Sequence, residues 1–154
     1  EGSKSFNGLT AKIVKAKKDG GLPALQTGGN VGTTSWFVGW QVLKYSTIGL
    51  IGMNHGWDEQ DDPSQIITHG HENPNAEVDP SVTNITFKKI YNPDFNCYCI
   101  MDPIYQFYSN ALKEFITRSP KWLSTINATE GGSIFGEKIT SMQLLEFIEK
   151  NHGK

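Results

Sequence analysis

The chain has 154 residues, enough for one domain with a single core. Its 37% hydrophobic and 19% charged residues are ordinary for a globular protein. A net charge of -2 gives no electrostatic basis for DNA, RNA or an anionic membrane as main partner, and the longest apolar run, 48–53, is far short of the roughly 20 residues of a membrane span.

Residues 1–21 hold Gly2, Gly8, Gly20 and Gly21 and a lysine cluster between Lys12 and Lys18. They read as a flexible or loosely docked N-terminal arm, and 22–154 as one α/β domain. No apolar stretch follows a basic start, so a cytoplasmic setting is expected. The first residue is Glu1 rather than Met, which suggests a piece of a longer polypeptide.

Leu22 to Gln26 is apolar and reads as a strand end. It runs into Thr27-Gly28-Gly29-Asn30-Val31-Gly32-Thr33, and a helix is predicted over 31–44. Val31, Ser35, Val38 and Val42 share one stripe of it, widened by Trp36, Trp40 and Leu43. Gly39 inside the helix points to close packing. Residues 47–53 read as a buried strand. From Asn54 to Pro80 the chain is polar and carries three of its four histidines, and a loop of that length is usually functional or disordered. Alternation predicts a strand over 82–90. Cys97 and Cys99 share a face if their segment is a strand; they form no CxxC pair and read as free thiols.

Asp102-Pro103 starts a helix over 103–118, with Asp as cap and Pro in the first turn. Ile104, Phe107, Tyr108, Ala111, Leu112, Phe115 and Ile116 give it an apolar face. A strand is predicted over 122–127. Thr140-x-x-Gln143 resembles a capping box and opens a last helix over 141–151, with Met142, Leu145 and Ile148 inward. This alternation implies an α/β fold, a Rossmann-like three-layer sandwich with a mainly parallel sheet, here as a partial domain. Ligands of such sheets sit beyond the carboxyl ends of the strands.

Three polar clusters fall at those ends. Thr27, Gly28, Gly29 and Asn30 join a strand to a helix, where backbone N–H groups and the helix N-terminus favour an anion. The pattern is neither a Walker A loop nor GxGxxG. Gly52, Asn54 and His55 follow the strand at 47–53, so an amide and an imidazole reach the crevice. Asn127, Thr129, Glu130 and Gly131 follow the strand at 122–127, where a carboxylate beside glycines can bond ribose or base hydroxyls. In each case a plain turn is the competing reading. His69 and His71 form an HxH pair in the long loop. Zinc would need a third ligand, and none is suitably spaced, so no metal site is expected. A general base or a phosphate-binding histidine is the alternative, with His55 a further candidate.

The runs Thr27-Gly28-Gly29-Asn30-Val31-Gly32, Ile48-Gly49-Leu50-Ile51-Gly52-Met53-Asn54-His55 and Ile126-Asn127-Ala128-Thr129-Glu130-Gly131-Gly132-Ser133-Ile134-Phe135-Gly136 together resemble the MptE-like family. The likeness covers about 22–150, as the C-terminal portion of the family domain. That family includes archaeal 6-hydroxymethyl-7,8-dihydropterin pyrophosphokinases and the motility accessory factor glycosyltransferases of flagellin. Its fold is similar to that of bacterial sialyltransferases, which use a nucleotide-activated sugar and need no metal. The resemblance implies a nucleotide pocket lined by Thr27-Gly28-Gly29, with Gly52 and Asn54 on ribose or base and a loop histidine assisting transfer. Two departures matter. The family usually has Asp where this chain has Asn54, and it carries an earlier N-terminal region contributing donor-binding residues.

The expected function is therefore a nucleotide-dependent transferase, glycosyltransferase-like, with a nucleotide-sugar donor. The alternatives are a pterin pyrophosphokinase-like enzyme using ATP and Mg²⁺, and a non-catalytic nucleotide-binding module. No tightly bound cofactor, nucleic-acid partner or membrane span is expected; an oligomer is compatible with the sequence.

Overall fold

The computed structural model describes residues 27–61 and 87–151. The arm at 1–21, the strand end at 22–26, His69, His71 and the first part of the strand expected at 82–90 lie outside those residues.

Two three-stranded sheets are present among the described residues, where one mainly parallel sheet was expected. The first is wholly parallel. In it, β1 (Thr47–Leu50) pairs with β5 (Ser124–Asn127), and β5 with β6 (Ile139–Ser141). Central β5 is buried at Thr125, Ile126 and Asn127, as a strand covered on both faces must be. The second is antiparallel, in the order β2 (Trp57–Asp58), β4 (Cys97–Met101), β3 (Lys88–Asn92), and lies between β1 and β5 in the sequence. Its hand is set locally. Asn92 Oδ1 accepts from the Asp94 and Phe95 amides at 3.0 and 3.4 Å, and Asn96 takes φ +52°. This side-chain turn brings the chain straight back, and a connection so short permits only antiparallel neighbours.

The first helix, α1, spans Val31–Phe37 and passes into a π-helical turn over Val38–Val42, so the helix expected over 31–44 is real but not uniform. Gly39 lies in that turn; a Cβ there would sit 2.4 Å from Ile48 Cδ1, which accounts for the glycine by close packing. The buried face also differs from the expected stripe. Val31 is 81% exposed and Val42 is exposed, while Trp36 and Phe37 are buried. The larger rings remove more apolar surface from water and win the inward face. Trp36 also donates its Nε1–H to Thr125 Oγ1 at 3.0 Å, tying α1 to β5.

Helix α2 (Pro103–Arg118) matches the expected bounds, and the Asp102 carboxylate accepts from the Tyr105 amide at 2.7 Å. Its Leu112 and Ile116 join Trp36, Phe37, Leu50, Leu123 and Ile134 in the core. The last helix, α3 (Leu144–Asn151), starts later than expected. Thr140 pairs with Ile126 inside β6, so it cannot cap a helix. Glu130 Oε1 accepts from the Leu144 amide at 2.9 Å instead. The inward ring of α3 is Phe147, which lies against Gly49 of β1, while Leu145 is 72% exposed and Ile148 is exposed. No helix among the described residues is long and apolar enough to cross a membrane.

Candidate functional site at the carboxyl ends of the parallel strands

The expected strand at 47–53 stops at Leu50 because the backbone turns away: Gly52 takes φ +67° and His55 φ +46°. The segment that follows β1 is clamped by the segment that follows β5. Leu50 O accepts from the Ala128 amide at 2.9 Å and from Thr129 Oγ1 at 3.3 Å, and Thr129 Oγ1 accepts from the Met53 amide at 3.3 Å. The Ser133 amide donates to Asn54 O at 2.8 Å, and the Ser133 hydroxyl reaches Asn54 O at 3.2 Å and His55 O at 3.1 Å. The approach is close enough to demand Gly132. A Cβ there would lie 2.5 Å from Asn54 O, and its φ of +76° is already left-handed.

Asn127 and Asn92 hold the second segment in shape. Buried Asn127 donates through Nδ2 to Ile134 O at 2.7 Å and accepts from the Thr129 amide at 2.9 Å. Buried Asn92 donates to Gly132 O at 2.9 Å. The Thr129 and Ser133 side chains therefore fasten the two segments to each other, the Asn127 side chain braces the second from within, and one Glu130 oxygen holds α3. Asn54 enters the clamp through its main-chain carbonyl, which leaves its half-buried amide out of it.

His55 sits at the centre. It is 8% exposed, and Nδ1 has no hydrogen-bond partner among the described residues. Its ring centroid lies 6.3 Å from that of Tyr105 and 6.0 Å from that of Tyr108, both on α2, and Trp57 meets Tyr105 edge-on at 4.8 Å. Burial lowers the imidazole pKa from 6.5 to about 4, because the charged form loses its water. At neutral pH the ring is uncharged.

The glycine turn reaches the same place from the other side. The Asn30 amide donates to Thr27 O at 3.2 Å, closing a turn in which Gly28 and Gly29 take φ +56° and +85°. A Cβ on Gly29 would lie 2.7 Å from Tyr108 Cε1, so the turn lies on the ring that also meets His55. Asn30 is the cap of α1, accepting from the Thr33 amide at 2.9 Å. The three polar clusters thus meet, with Tyr108 between the first and the second; His69 and His71 lie outside the described residues.

An open groove of about 710 Å³ runs along the edge of β1, between Ile48 and Leu50 on one side and Trp36, Val38 and Gly39 on the other. It reaches Met53 of the clamped segment after β1 and Gly32 at the start of α1, and is not centred on His55. Among the described residues no group of three or more His, Cys, Asp or Glu could hold a metal ion. Cys97 and Cys99 are free thiols. Burial, with Asp58 adding, pushes fully buried Cys99 up to about 12 and also raises Cys97, so neither is poised as a thiolate.

Compared with known proteins, the chain matches no family model, no curated protein and no solved structure. Sequence reasoning did not single out Ser133, Tyr105 or Tyr108 as site residues. Ser133 closes the Glu130-Gly131-Gly132-Ser133 run, where two glycines mark close backbone approach, and that was its available signal.

Proposed function

We propose that this chain is the ligand-facing part of a cytoplasmic nucleotide-dependent transferase of the MptE-like family, glycosyltransferase-like and using a nucleotide-sugar donor. In this reading β1, β5 and β6 belong to a Rossmann-like sandwich whose carboxyl edge holds the nucleotide. One observation carries the proposal: the segments after two neighbouring parallel strands are clamped together beside a buried imidazole whose Nδ1 has no partner among the described residues, at the edge where such sheets bind ligands.

The roles divide by availability. Thr129 is spent on the clamp and Asn127 on the segment after β5, so hydrogen bonds to ribose or base fall to the Asn54 amide, to His55 and to the second oxygen of Glu130. The Thr27–Asn30 turn and Gly131 line the pocket through their backbones. Catalysis would come from positioning and from stabilising charge on the leaving phosphate. His55, with a pKa of about 4, is a weak base at neutral pH and serves as a neutral hydrogen-bonding group. Deprotonation of the acceptor falls in this reading to His69, with His71 as the alternative, since imidazole is the side chain suited to proton transfer near neutral pH.

A thermal-shift screen of CMP, UDP, ADP and ATP, each with and without Mg²⁺, tests the reading. A ligand at about 100 times its Kd adds about 2.7 kcal/mol and raises the midpoint. A rise with ATP only when Mg²⁺ is present would favour the pyrophosphokinase-like alternative, and no rise with any nucleotide would sink the proposal. A second reading, a non-catalytic nucleotide-binding module, is favoured by Asn54, which places an amide where the resembling family carries a carboxylate. Turnover separates the two. An active transferase loses about 10²-fold in His69→Ala with nucleotide affinity kept, whereas a binding module turns over no donor in any form.

A further inference from the structure

His55 is held where an unconstrained residue would not stay. Its φ of +46° is left-handed, and a non-glycine residue there is strained and persists only when its surroundings over-determine it. The surroundings that do so converge on one side chain. Ser133 is fully buried and is held from two directions. On one side its own carbonyl accepts from Ser109 Oγ at 3.3 Å and from Lys113 Nζ at 3.1 Å, both on α2. On the other side its amide and hydroxyl reach the turn, and the hydroxyl is the group that meets the carbonyl of His55 itself.

We infer that Ser133 is a positioning residue. Its hydroxyl, shared between the Asn54 and His55 carbonyls, fixes the left-handed turn that carries the His55 imidazole in against Tyr105 and Tyr108. The geometry explains why one residue suffices. Helix α2 carries both the rings that receive the imidazole and the groups that anchor Ser133, so Ser133 sets how far the turn stands from that wall. Gly132 beside it presses directly on Asn54 and cannot substitute, having no side chain to donate. Removing the hydroxyl leaves Asn54 O bonded to the Ser133 amide but strips His55 O of its donor. The turn then relaxes to negative φ and the ring moves toward water. Among the described residues the rings of Tyr105 and Tyr108 meet the imidazole, and its burial is what lowers its pKa, so exposure to solvent raises it.

The inference rests on the transferase reading for its functional meaning, because His55 faces the ligand there. Its test reads the turn and not the ligand, so nucleotide binding can fail while the turn stands, and the reverse. The imidazole C–H signals would be followed by NMR from below pH 4 to above 6.5, with His55 assigned by its loss in His55→Gln. In the native chain the expected His55 midpoint is about 4. In Ser133→Ala its titration moves up by at least about one unit, toward the free-imidazole value. Ser109→Ala is the control, since it removes a bond to the same residue on the side away from the turn. It lowers the melting midpoint and leaves His55 near 4. An unchanged His55 titration in Ser133→Ala, or an equal rise in Ser109→Ala, would overturn the assignment. If Ser133→Ala does not fold, Ser133→Cys, somewhat larger and with a much weaker donor, is read in its place.

Discussion

His55 combines a left-handed backbone with a buried nitrogen that has no partner among the described residues, and both are costs that ordinary packing would remove. The burial has a measurable consequence in acid. The unfolded chain takes up a proton near 6.5, whereas the folded chain resists until about 4. Stability is therefore complete above 6.5, falls as pH drops through that window, and is lower by about 3 kcal/mol below 4. Urea midpoints measured across that range should show the slope in the native chain and a weaker slope in His55→Gln; parallel curves would mean that His55 is not its source. Two glycines of the site make a second contrast. Gly52 and Gly132 are both left-handed, yet a Cβ on Gly52 meets nothing within 4 Å while one on Gly132 strikes the Asn54 backbone. Gly52→Ala should cost about 1 kcal/mol of backbone strain, and Gly132→Ala at least twice that, because main-chain atoms must also move. Chemical denaturation of the two variants decides it, and equal costs would remove the close approach from the account.

At the scale of elements, α3 shows how an amphipathic pattern can name the wrong ring. Its apolar residues suggested Leu145 and Ile148 as the inward face, but the helix begins only after β6 has taken Ile139–Ser141, and it presents Phe147 to Gly49. Phe147→Ala should cost roughly 2–4 kcal/mol, and Leu145→Ala less than about 0.5 kcal/mol, by equilibrium unfolding. A reversed order would restore the face expected from the sequence. Helix α1 is short and depends on its cap, so Asn30→Ala should cost about 1 kcal/mol. The same substitution frees Gly28 O and Thr33 Oγ1 of their bonds to Asn30 Nδ2 and loosens the glycine turn that lies on Tyr108.

Across the whole molecule, the antiparallel sheet is tied to the parallel one through α2, whose Tyr105 meets Trp57 of β2, and through Asn92 of β3, which donates to Gly132 O after β5. Strand β5 is paired on both sides and covered by the core, while β2 is two residues long and pairs on one side. Amides of Thr125, Ile126 and Asn127 should therefore exchange with solvent only on global unfolding, and those of β2 through local opening at lower free energy. Native-state hydrogen exchange checks this, and comparable protection in β2 would show that the two sheets open as one unit.

The sequence by itself determined those features whose cause is local. The cap and proline at Asp102-Pro103 set the start of α2, the unbroken apolar run marked β1, and glycine runs marked the segments that meet at the carboxyl edge. The hairpin at Asn92–Asn96 was also written locally, in an asparagine whose side chain bonds the two amides after Pro93, though alternation alone does not reveal it. What only the tertiary structure decided is what depends on partners distant in the chain. Thr140 reads as a cap until β5 offers it a strand partner, and Val31 reads as core until Trp36 and Phe37 take the inward face. His55 reads as a general base until Tyr105, Tyr108 and the Ser133 hydroxyl enclose it. Hydrogen bonding and helical period are properties of neighbours in sequence, whereas burial and desolvation belong to neighbours in space, so the identity of this imidazole was legible and its protonation was not.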